Sequence, residues 1–97
     1  MYVSKLQSEH TDTLFDAILS LENREECYRF FDDLCTIREL QDLAQRMQVA
    51  RMLRDKVTYQ EIAHRTGAST ATISRVNRCL AYGADGYKLI LERMASK

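Results

Sequence analysis

The chain has 97 residues, 45% hydrophobic and 29% charged, with 14 basic and 14 acidic side chains that cancel to a formal net charge of zero. That length fits one small domain with a core, and the composition excludes a disordered tail. No apolar run approaches the ~20 residues of a membrane span and no signal-like segment opens the sequence, so a cytoplasmic protein without membrane contact is expected.

Absent proline and only three glycines are poor material for the turns of an all-β fold. The first eight residues lack periodicity and are expected to fray. Thr11 is positioned to cap a helix bearing Leu14, Phe15, Ile18 and Leu21. Asn23 caps the next, whose Arg24-Glu25-Glu26 start suits the helix dipole. Cys27, Phe30, Phe31 and Leu34 share one face of it with Tyr28 alongside, aromatics that are core by default. Thr36 and Glu39 form a T-x-x-E capping box that opens a third helix to about Arg54. That helix carries two apolar stripes, Leu40-Leu43-Met47-Ala50 and Val49-Met52-Leu53, which suits a central or shared helix. Thr58 and Glu61 repeat the box before a short helix from Tyr59 to about Arg65. Gly67 then breaks the chain, Ser69 or Thr70 caps a fifth helix through Leu80, and Gly83 ends it. Tyr87, Ile90, Leu91 and Met94 mark a short last helix over 86–95. The expectation is an all-α, six-helix single domain.

Zero net charge argues on its face against a nucleic-acid partner, but it conceals an asymmetry. Residues 1–45 hold four bases against ten acids, a net −6; residues 46–97 hold ten bases against four acids, a net +6. Either the basic half faces a polyanion or the two halves pair through salt bridges. Cys27, Cys35 and Cys79 form no C-x-x-C pair, and their odd number reads as reduced thiols. His10 and His64 lie far apart and away from any metal-ligand spacing. With no phosphate loop, no G-x-S-x-G elbow and no nucleophile–base pair, neither an enzyme nor a cofactor is expected.

Residues 59–78, YQEIAHRTGASTATISRVNR, carry the functional argument. Two steeply crossing short helices need a small residue at their contact, which Ala63 supplies, and a turn residue tolerant of positive φ, which Gly67 supplies. Ile62, Ile73 and Val76 brace the pair from within. All five positions fit a DNA-binding helix-turn-helix. Ser69, Thr70, Ala71, Thr72 and Ser74 then form the face entering the major groove, where hydroxyls reach base edges and methyls meet thymine. No Arg, Asn or Gln opens that helix, so Gln60 is the best direct base reader. Arg46, Arg54, Lys56, Arg65, Arg75 and Arg78 are placed to position phosphates.

The span from Cys35 to Leu80 resembles the Trp repressor family, in its YerC/YecD-type branch. The matching text is T36-x-x-E39, L43-x-x-R46 and G67-A68-S69-T70-A71-T72-I73-S74-R75. The resemblance implies an intertwined homodimer, with dimerisation helices over 11–55, a helix-turn-helix over 58–80 and water-rich readout. Its two heads would enter successive major grooves about 34–36 Å apart on a near-palindromic operator. The positions matching operator contacts are Gln60, Thr70, Ala71, Thr72 and Ser74. The family's tryptophan site maps to Thr36, Arg46 and Arg75, the arginines being suited to forked bonds with a carboxylate. Here Val76 stands where the family has a glycine that makes room for indole, and Cys79 replaces a serine. The effector is then a different small anion, or none is needed; the arginine pair equally suits phosphates or acids. The reading is a dimeric transcriptional regulator of the repressor kind, bound to double-stranded DNA. A helical protein-interaction module and the DNA-targeting module of a recombinase-type system are the alternatives.

Overall fold

The structure, a computed structural model, describes residues 2–95; Met1 and residues 96–97 lie outside the described residues. Six helices follow in order: α1 (Glu9–Leu19), α2 (Arg24–Leu34), α3 (Ile37–Arg54), α4 (Tyr59–Thr66), α5 (Thr70–Tyr82) and α6 (Gly86–Ala95). Among the described residues there is no strand. Among the described residues no helix is long and apolar enough to cross a membrane. The chain divides into two compact units, one up to Ile37 and one from Arg38 onward.

In the first unit, α1 starts earlier than its apolar pattern suggests. Ser8, in extended conformation, is the cap: its hydroxyl accepts from the Thr11 amide at 3.1 Å. Thr11, the expected cap, lies within the first turn and its Oγ1 accepts from the Ser8 hydroxyl. In the preceding segment the Gln7 amide donates to the Ser4 carbonyl oxygen in a turn. Asn23 caps α2 as expected, accepting from the Glu26 amide at 2.9 Å. The Glu26 carboxylate in turn accepts from the Glu22 amide, so two orphan donors are satisfied reciprocally.

The aromatics of α2 are not an enclosed core. Neither α1 nor α2 contains a buried residue. Phe30 and Phe31 are half-buried and meet edge-on, with ring centroids 5.5 Å apart, while Tyr28 is 61% exposed. Two 11-residue helices offer too little surface to surround a ring, so the apolar face remains open in the single chain.

The second unit holds the core: Val49, Ala50 and Met52 from α3, Ile62 from α4, Ala68 in the turn, Ile73 and Val76 from α5, and Leu91 from α6. Of the two stripes read on α3, the Val49-Met52-Leu53 stripe is the enclosed one together with Ala50. Leu43, expected on the other, is 45% exposed.

The end of α3 closes in a Schellman arrangement. The Val57 amide donates to the Met52 carbonyl and the Lys56 amide to the Leu53 carbonyl. Lys56 sits at the left-handed position, with φ 64°. α5 runs two residues beyond Leu80, to Tyr82. Gly83 ends it in extended conformation, and a Cβ there would collide with the Cys79 carbonyl oxygen.

Candidate nucleic-acid interface

The helix-turn-helix is assembled from local signals that the structure places together. Thr58 caps α4 by accepting from the Glu61 amide at 3.2 Å. Gly67 ends α4 at φ 76°, and its amide donates to the Ala63 carbonyl oxygen at 2.9 Å. Two residues later Ser69 caps α5 by accepting from the Thr72 amide. Fully enclosed Ile62 and Ile73, with Val76 at 2% exposure, lock α4 and α5 onto α3.

The first turn of α5 faces solvent at Ser69, Thr70 and Ala71, whereas Thr72 and Ser74 are half-buried. The Ser69 hydroxyl both accepts from the Thr72 amide and donates to Thr72 Oγ1, so it is committed to the cap. Thr70 and Ala71 are therefore the freely presented groups of the face read from sequence. No acidic residue occupies the first turn of α5 or α6, whereas α1 and α2 each carry two there and α3 and α4 one. The positive end of the α5 dipole is therefore not offset by an acidic side chain of its own first turn.

The basic residues expected to meet phosphate all belong to the second unit. Gln60, Arg46, Arg65, Arg75 and Arg78 are exposed. Arg54 is partly committed: it pairs with Asp55 at 3.2 Å, and its Nη1 donates to the Leu91 carbonyl at 3.4 Å, tying α6 to α3. Arg54, Lys56 and Lys88 line an open groove together with Leu53, Leu80 and Leu91.

The residues matching the family's effector site divide between the units. Thr36 belongs to the first. Arg46 and Arg75 belong to the second, where both guanidiniums and Cys79 act electrostatically on the Tyr87 phenol. Burial pushes that phenol above its ordinary range and Cys79 adds to the rise, while the two arginines oppose it. The cysteines are free thiols, and among the described residues no cluster of three or more His, Cys, Asp or Glu could hold a metal.

The sequence alone gives Gln45 and Thr66 no role in the site and marks Tyr87 only as an apolar position of the last helix. Gln45 Nε2 donates to the Thr66 carbonyl oxygen at 3.1 Å, and Thr66 Oγ1 donates to the Ile62 carbonyl while accepting from the Ala68 amide. The available clue was spacing: Gln45, Val49 and Met52 stand at i, i+4 and i+7.

Residues 9–95 match the family described as Trp repressor protein. The chain belongs to that family. It is similar to the uncharacterised YerC protein of Bacillus subtilis (strain 168), with 62% identity over 94 residues that cover 97% of this chain and 90% of that protein. A protein from Staphylococcus aureus proposed to be a Trp repressor shares the fold at a TM-score of 0.91 and 58% identity, covering 100% of this chain and 97% of that one. A TrpR-like protein from Eubacterium eligens follows at a TM-score of 0.90 and 56% identity, over 94% of each chain. Membership sets this chain among helical DNA-binding regulators and apart from enzymes.

Proposed function

We propose that the protein is a homodimeric, sequence-specific transcriptional regulator of the repressor kind, which reads a near-palindromic operator in double-stranded DNA. The observation that carries this reading is the α4–Gly67–α5 unit, whose exposed, acid-free N-terminus presents Thr70 and Ala71. Thr70, Ala71, Thr72 and Ser74 face base edges, Ser69 shapes the entry, and Gln60 reads from α4. Gly67 brings the turn close to the backbone of the duplex. Arg54, Lys56, Arg65 and Arg78 hold phosphates.

The dimer is supported by the open apolar face of the first unit, where Phe15 is 54%, Leu19 81% and Leu34 47% exposed. A second copy of the acidic, interlocking helices over 11–55 would cover it. An acidic body then keeps DNA off the dimer while the basic heads engage it.

A small anionic effector would be held by Arg46 and Arg75, with Thr36 added by the family resemblance. The near-complete burial of Val76 favours instead the version in which this pair contacts phosphate.

Selection from random oligonucleotides by the purified chain tests the reading. A recovered inverted repeat, bound with an affinity that falls steeply with salt, supports it. No sequence preference at moderate salt would sink it in favour of a protein-interaction module. Arg75→Ala should weaken binding to every sequence, whereas Thr70→Ala should relax preference at particular bases.

A further inference from the structure

The turn of the helix-turn-helix is held by hydrogen bonds and by packing onto the core. Below it, Gln45 on α3 reaches across 21 positions of sequence to donate to the Thr66 carbonyl at 3.1 Å, in a partly buried contact. Within it, Thr66 Oγ1 bridges the Ile62 carbonyl and the Ala68 amide at 2.7 and 3.1 Å. Behind it, Val76 is 2% exposed and Ala68 4% exposed. On the α6 side, Tyr87 packs against the same core. Each polar group of the turn named here is paired within the chain, and Val76 and Ala68 fill the space directly behind the turn. With those groups satisfied inside the chain the turn offers a ligand little to order, and a ligand shifts an equilibrium only by its differential affinity for two states.

We infer that the chain itself holds the reading head ready for operator binding, with Gln45 as the strut between α3 and the turn, so that no small-molecule effector is required. This inference rests on the DNA-binding reading above. Gln45 is a positioning residue: it acts on the operator through Thr66 and the start of α5, not by contact. The strut bond is a single, partly shielded hydrogen bond, and losing it should weaken operator binding by about five- to tenfold.

The test has two arms, both on the full chain. In the first, hydrogen exchange is followed without DNA or ligand. The Gly67 and Ala68 amides should be protected in the wild type and should exchange about tenfold faster in Gln45→Met and Gln45→Glu, which lack the donor. Gln45→Lys, which restores a donor of similar reach, should recover the protection, as a general loss of stability would not. Unchanged exchange in Gln45→Met overturns the strut.

In the second arm, binding to the selected operator is measured with and without millimolar L-amino acids, indole and inorganic phosphate. Affinities that agree within about twofold support the inference. A compound that raises affinity about tenfold while increasing protection at residues 66–70 overturns it. Failure to recover any operator would instead defeat the DNA-binding reading, and the exchange arm would still judge the strut.

Discussion

Ser69 and Thr72 exchange two hydrogen bonds: the Thr72 amide donates to Ser69 Oγ at 3.1 Å, and the Ser69 hydroxyl donates to Thr72 Oγ1 at 3.1 Å. One residue thus caps the helix while directing its neighbour's hydroxyl, because Thr72 Oγ1, having accepted, has its own proton to donate. Ser69→Ala should cost about 1 kcal/mol of stability by removing the cap, and Ser69→Gly only a few tenths. Ser69→Asp keeps the cap but adds negative charge at the proposed DNA face. It should hold the melting temperature near wild type while DNA affinity falls. Equal affinity for Ser69→Asp and wild type would show that this helix end does not approach phosphate.

Lys56 separates stability from DNA contact. It is a non-glycine residue at φ 64° in the Schellman turn after α3, a conformation that costs an L-residue roughly 1–2 kcal/mol. Lys56→Gly relieves that strain at some cost in chain entropy, so a gain of about 0.5–1 kcal/mol in urea unfolding is expected. The same variant loses a proposed phosphate contact and should lower the salt-dependence slope of binding by about one.

Gly67 is required for its backbone. A Cβ built on it meets nothing within 4 Å, yet φ is +76°. Gly67→Ala should therefore destabilise by about 1–2 kcal/mol without any clash. Gly67→Asn should cost less, since asparagine tolerates the left-handed region. Thermal unfolding of the pair tests this; equal losses would point to crowding rather than backbone conformation.

Ile62 and Ile73 carry the junction of the two helices, and both are fully enclosed. Ile73→Ala should cost about 2–5 kcal/mol, and Ile73→Val about 0.5–1.5 kcal/mol. Because Ile73 faces inward, Ile73→Val should leave the selected operator sequence unchanged while chemical unfolding shifts.

Tyr87 links folding to alkaline pH. Burial, then Cys79, raise its pKa in the folded chain against the opposing arginines. Above pH ~10 the unfolded chain gives up this proton first, so the folded state binds more protons and stability falls as pH rises through the folded pKa. Below that range the group contributes no slope. Tyr87→Phe should flatten the decline of stability above pH ~10, measured by denaturant unfolding across that range.

The sequence by itself determined the local structure. The Asn23, Thr58 and Ser69 caps, the glycine at the left-handed position and the 3.6-residue apolar spacing are signals read within one or two turns of chain. They located six helices and the helix-turn-helix to within a few residues. The misplaced Thr11 cap has a local cause too: Ser8 is an equally good cap three residues earlier, and its choice depends on which backbone torsions close the first turn. Only the tertiary structure decided which apolar faces are enclosed. Val49 and Val76 are sealed within the chain, whereas the Phe30–Phe31 pair stays half-open, because enclosure depends on how many elements converge on a side chain. It also decided the bonds that fix the head. Gln45 and Thr66 are 21 positions apart and polar, and no periodicity records which donor will meet which carbonyl once the core has drawn α3 and α4 together.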